Sequence, residues 1–182
     1  MLVVERIRAV LLPAGNPGLG KGPRPLAWAA AEVRSKVDEA LQRTAFGAAR
    51  RDQVLALALC WHDCWDAAHE LAQAQEGDQD MDLIHAILHR REPDAANARY
   101  WFKRVGEHPA WLHLPPVAAA EGLSELVTRD GGWRAGLFVD RCVAATAAEA
   151  PALIRIQAAE LLALLDHLSR HPTGPLPPRA LS

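Results

Sequence analysis

Helix punctuation constrains this chain more than any other feature. Gly47, Gly77, Gly106 and the Asp130-Gly131-Gly132 triplet each close a stretch whose apolar residues recur every three or four positions. Pro93 marks a stop, and Pro151 suits the first turn of a last helix. Alanine supplies about a fifth of the residues, and β-branched and aromatic residues are sparse. The spacing predicts an all-α, single-domain helical bundle with helices over about 26–46, 51–75, 79–91, 95–105, 117–129, 134–148 and 151–169. VLALALCW is apolar around its whole circumference, as a buried central helix requires.

The first 25 residues read differently. VERIRAVLL suits a short strand or a helix start, and PAGNPGLGKGPRP is loop chemistry. Residues 1–25 are therefore expected to form an irregular Gly/Pro-rich arm, 26–170 the bundle, and 171–182 a loose tail.

Charge and cysteine content exclude several function classes. Twenty basic residues against 22 acidic ones give a net charge of -2, without the basic excess of a nucleic-acid or membrane-surface binder. No apolar run is long enough to cross a bilayer, and Glu5, Arg6 and Arg8 break any signal-peptide core. Three cysteines make no disulfide framework, so a cytoplasmic chain with reduced thiols is expected.

The chemistry lies in two matched stripes. At about 100° per residue, His62, Asp66 and His69 share one face of the second predicted helix, and His85, His89 and Glu92 share one face of the third. A short turn at Gly77-Asp78 makes the two an antiparallel hairpin, in which His69 pairs in height with His85 and Asp66 with His89. Asp66, His69, His85 and His89 thus form a mixed nitrogen and oxygen set suited to a divalent Zn, Fe, Mn or Ni ion. His62 and Glu92 fall one level further out, as a supporting pair, a general base or ligands of a second metal, and Trp61, Trp65 and Met81 could wall a dry pocket. The alternative is a hydrogen-bonded seam in a non-catalytic module that binds a small molecule or protein, with Trp111, Trp133 or the Pro-rich loop as its contact surface. A homo-oligomer is compatible with either.

Other motifs are weaker. Gly15–Gly22 approximates a phosphate-cradling loop, but Gly22 replaces the hydroxyl and Pro23 and Pro25 block the helix, so no nucleotide cofactor is expected. His62-Asp63 matches an HD dyad, yet the chain has no upstream histidine to complete it. Cys60 and Cys64 fall opposite the histidine stripe and read as core thiols. On the fourth helix Asn97, Tyr100 and Arg104 share a side on which Arg104 could hold a substrate carboxylate or phosphate.

HAILHRREPDAANARYWFKRVGEHP resembles the central signature of a family of small soluble helical proteins that carries no assigned reaction, and WHDCWDAAH looks like that family's preceding stretch. IQAAELLALLDHL is similar to its C-terminal helix with a Gln-x-x-Glu pair, here Gln157 and Glu160. The resemblance implies that these segments act as one unit and makes Glu160 an extra ligand or base beside Glu92. The combined expectation is a metal-binding bundle acting as a metal-dependent hydrolase or related enzyme on a small molecule.

Overall fold

The computed structural model describes residues 2–92 and 94–170. Over them the chain is helical: α1 (Val3–Leu11), α2 (Ala30–Leu41), α3 (Ala48–Trp61), α4 (Trp65–Ala74), α5 (Gln79–Arg91), α6 (Ala95–Val105), α7 (Leu114–Ala120), α8 (Ala135–Val143) and α9 (Ala150–Arg170). No strand forms among the described residues; Val127 and Trp133 make an isolated antiparallel bridge. The expected tail, 171–182, lies outside the described residues.

α5 is the hub. Its residues from Asp80 to Arg91 are all buried, enclosed mainly by α3, α4 and α6. Such a helix needs a firm start, and Asp78 supplies it: the side chain accepts from the backbone N–H groups of Asp80 and Met81. Gly77 precedes the cap at φ 93°, which only glycine adopts without strain and which lets α4 reverse into α5. Asp94 caps α6 in the same way through Asn97 N–H. α9 runs along α3, α7 and the 3-10 turn Pro109–His113, and a smaller apolar cluster around Phe138, Leu153 and Ile156 joins α7, α8 and α9.

The structure redraws several boundaries. The single helix expected over 51–75 is two, α3 and α4, because Asp63 takes a left-handed conformation at φ 62°. Cys64 N–H then reaches back to Leu59 O and Asp63 N–H to Cys60 O, the pair of bonds that normally ends a helix at a glycine. An aspartate holds that position because Arg24 Nε donates to Oδ2 at 2.8 Å and Arg91 to Oδ1 from the other side. The Pro-rich segment between α6 and α7, HPAWLHLPP, forms a 3-10 turn running into α7, started by His108 Nδ1 accepting from Ala110 N–H. The helix expected over 117–129 therefore begins earlier and ends at Ala120. α8 stops at Val143, since Thr146 and Glu149 bond each other's backbone N–H in a capping box that opens α9. α2 is shorter at both ends than 26–46, and VERIRAVLL is helical, with Ile7, Val10 and Leu11 buried.

Between α1 and α2 the Gly/Pro-rich segment is irregular, as its composition predicts, yet it is pinned. The Arg24 guanidinium donates to the carbonyls of Ala14, Gly15, Asn16 and Trp61. Gln157 Nε2 donates to Pro17 and Gly18 O, and Arg91 Nε also donates to Gly18 O. Gly22 is required by contact: a Cβ there would lie 2.6 Å from the Asp63 side chain. Leaving loop carbonyls unpaired is costly, so three side chains, two of them buried, replace the partners that secondary structure would have supplied.

Candidate metal centre

His69, His85 and His89 come together, with donor atoms all within 4.8 Å of one another. α4 contributes the first and α5 the other two, one helical turn apart, so the antiparallel hairpin predicted from Gly77-Asp78 forms and turns these edges toward each other. His85 Nε2 lies 3.0 Å from His69 Nε2. The His85 and His89 rings are near parallel at 4.9 Å, and His69 meets both edge-on. His85 and His89 are buried; His69 is half-buried and forms the open edge.

Aromatic walls hold the rings. Trp65 stacks on His69 at 4.5 Å and is itself fixed by Nε1 donating to Leu88 O. Trp101 stacks on His85 at 3.9 Å. His89 Nδ1 donates to Glu92 Oε2 at 3.1 Å, which leaves the Nε2 lone pair directed elsewhere, and the Asn97 amide nitrogen lies 3.2 Å from that Nε2. A carboxylate behind a ligating imidazole is the usual support of a metal site.

Protonation favours lone pairs here. Burial first, and then the nearby His69, His89 and Arg104, push His85 down to about 3. His69 is lowered by burial and by His89, against the pull of Glu92 and Asp66. Proton bookkeeping is tight as well. With two Nε2 atoms in contact only one can carry a proton, and His85 Nδ1 is buried with no hydrogen-bond partner.

The other predicted residues divide. Glu92 stands against His89, and Asn97 reaches it. Arg104 lies 4.7 Å over Trp101 and 3.6 Å from Asp82, with the exposed Tyr100 hydroxyl 3.4 Å away, so both stand at the rim. Asp66 is exposed and outside the cluster, because the break at Asp63 resets the helical phase and turns Trp65, Ala68 and His69 inward in its place. His62 is also removed from the stripe. It sits in the break with Nδ1 accepting from Trp28 N–H at 3.1 Å, Nε2 donating to Val10 O at 2.9 Å and its ring stacked on Trp28. Glu160 is buried elsewhere, paired with Arg90 at 2.7 Å and accepting from Trp111 Nε1. Trp111 is thus core rather than contact surface, and Trp61 and Met81, expected as pocket walls, are fully buried in the core. Cys60 is buried, and Cys64 Sγ donates to Trp28 O.

Trp101 was legible but overlooked: it lies four residues after Asn97 and three before Arg104, on the same helical face. Lys21, on the loop, carries no periodicity to betray it, yet its Nζ is 3.8 Å over Trp65 and 3.4 Å from Glu92.

A second group, Asp80, His108 and His167, also brings its donor atoms within 4.8 Å of one another. Its bonding argues otherwise. His108 Nδ1 accepts from Ala110 N–H, so Nε2 must carry the proton it donates to Asp80 Oδ1 at 3.0 Å and has no lone pair for a metal. Arg50 and His167 complete the carboxylate's partners. Burial would raise Asp80, but the bonds from His108 and His167 outweigh it and hold the carboxyl well below its usual range.

Stability should fall below neutral pH in the metal-free protein. His62, His69 and His85 all lie below their ordinary value, with burial the leading cause. Below about pH 6.5 the unfolded chain takes up protons that the folded chain refuses, so stability is full above that pH and declines as pH falls. For His85 the slope approaches about 1.4 kcal/mol per pH unit, and His62 and His69 add to it in the same direction. Urea unfolding at pH 7, 6 and 5 reads this, and equal midpoints would contradict it.

Among the described residues no helix is long and apolar enough to cross a membrane. No family model, no curated protein and no solved structure matches this chain; the described residues form a helical bundle with one histidine cluster, two of its three members buried, spaced so that it could hold a metal ion.

Proposed function

We propose that the protein binds one divalent transition metal, Zn, Fe, Mn or Ni, through His69, His85 and His89, and acts as a metal-dependent hydrolase on a small molecule. The observation that carries this reading is three converging imidazoles, two of them buried, all with donor atoms inside 4.8 Å. Three neutral nitrogen ligands leave a fourth position open, the pattern of catalytic rather than structural sites. When bound, such an ion supplies Lewis acidity toward a carbonyl or phosphoryl oxygen.

The chain's own groups have separate tasks. Glu92 fixes the His89 tautomer and is the carboxylate placed beside the cluster to take a proton. Asn97 satisfies the His89 Nε2 lone pair in the metal-free chain and would give it up to a bound ion, and Arg104 with Tyr100 offers a substrate anion a donor at the rim. Glu160 is not used, because its oxygens are committed to Arg90 and Trp111.

One observation favours the non-catalytic seam: the 3.0 Å separation of His69 and His85 also suits a single shared proton. Metal analysis of protein purified without a histidine tag separates the two. About one ion per chain in the wild type, lost in a His85→Ala protein that keeps its helical circular dichroism, supports the metal site. A wild type that stays metal-free after incubation with Zn(II) overturns it.

A further inference from the structure

Lys21 has no role in the fold's core, yet the Gly/Pro-rich loop that carries it is pinned by Arg24, Arg91 and Gln157, so its position is built in. Its ammonium touches the two supports of the cluster: the indole that carries His69 and the carboxylate that carries His89. Arg104 mirrors it on the other wall, over the indole that carries His85. Two cations on two tryptophans therefore flank the three imidazoles.

Resting on the metal reading above, we propose that Lys21 is a specificity residue that recruits an oxyanion, a carboxylate or phosphate group of the substrate, to the centre. The Lys21–Glu92 pair is 3.4 Å long between side chains 44% and 32% exposed, which makes it weak and exchangeable. An ammonium has three donors, and the indole face uses none of them as a hydrogen bond. Space for a ligand lies alongside: a groove of about 380 Å³ is lined by Lys21, Gly22, Pro23, Cys64, Trp65 and Asp66 among others, so Trp65 is a wall of both groove and cluster. Of the acids there, Asp63 is neutralised by Arg24 and Arg91, and Asp66 is exposed. An ion held by three uncharged ligands keeps its full positive charge, which reinforces the preference for an anion.

Co(II)-loaded protein titrated with inorganic phosphate, and separately with acetate, tests this through the cobalt absorption bands. Lys21→Met should weaken the anion about tenfold and Lys21→Arg restore it, with Co(II) stoichiometry unchanged in both. Tighter phosphate assigns a phosphate group, and tighter acetate a carboxylate. Equal anion affinity in wild type and Lys21→Met overturns the proposal while leaving the metal site standing, as does loss of Co(II) from Lys21→Met, which would make the lysine part of the ion's own support. A wild type that takes up no Co(II) sinks the metal reading before any anion is added.

Discussion

An Asp63→Ala protein should be destabilised by about 3–5 kcal/mol, enough to leave a domain of ordinary stability largely unfolded at 37 °C. Asp63 has a fully buried side chain that receives Arg24 at 2.8 Å and Arg91 on its other oxygen. Removing it strands two guanidinium groups, one of them almost wholly buried, and breaking a buried pair from one side is worse than never having built it. The left-handed conformation at φ 62° would then be held by alanine without the bonds that offset its strain. Asp63→Asn keeps the shape but loses the charge and should fall between. Burial opposes ionisation of Asp63, but Arg24 and Arg91 prevail and hold its carboxyl below the usual range, so the charged form is the native one. Urea unfolding followed by circular dichroism measures the loss, and an Asp63→Ala protein within about 1 kcal/mol of wild type would show that the arm is not pinned through this carboxylate.

Glu160→Ala should be comparably damaging, about 3–5 kcal/mol, for a separable reason. Arg90 and Glu160 are both completely buried, with Arg90 also bonded to Gln157 and packed against the Phe138 ring. Truncation leaves a cation in an apolar interior and deprives Trp111 Nε1 of its acceptor. Replacing both partners together, Arg90→Met with Glu160→Leu, should recover much of the loss, because it removes the uncompensated charge rather than exposing it. Metal content per folded molecule in Glu160→Gln should equal that of wild type. Coupled loss of metal without loss of stability would return Glu160 to the site.

How much of this was readable follows from where the information resides. Helix number and order over 79–170 were broadly legible, because Asp78, Asp94, Gly106 and Pro151 are local signals that act within a few residues. So was the convergence of His69, His85 and His89, since His85 and His89 share an uninterrupted helix and Gly77 fixes the hairpin that brings His69 to them. The break at Asp63 was not. Nothing around CWHDCW marks a helix end; the residue takes glycine's conformation only because Arg24 and Arg91, far away in the chain, meet its carboxylate. That long-range cause displaced His62 and Asp66 together. Glu160 failed for the same reason: a glutamate on a helix face looks alike whether it meets a metal or a buried arginine. The capping box at Thr146 and Glu149 was available in the sequence and would have shortened the predicted 134–148 helix.

The burial of α5 on all sides has a kinetic corollary. A segment enclosed this fully opens only when the whole domain opens, so its amides belong to the slowest-exchanging class. His85 and His89 are therefore held in register for the lifetime of the native state. Any breathing that admits or releases a guest must come from the other side of the seam, where α4 presents half-buried His69 and the loop presents Lys21.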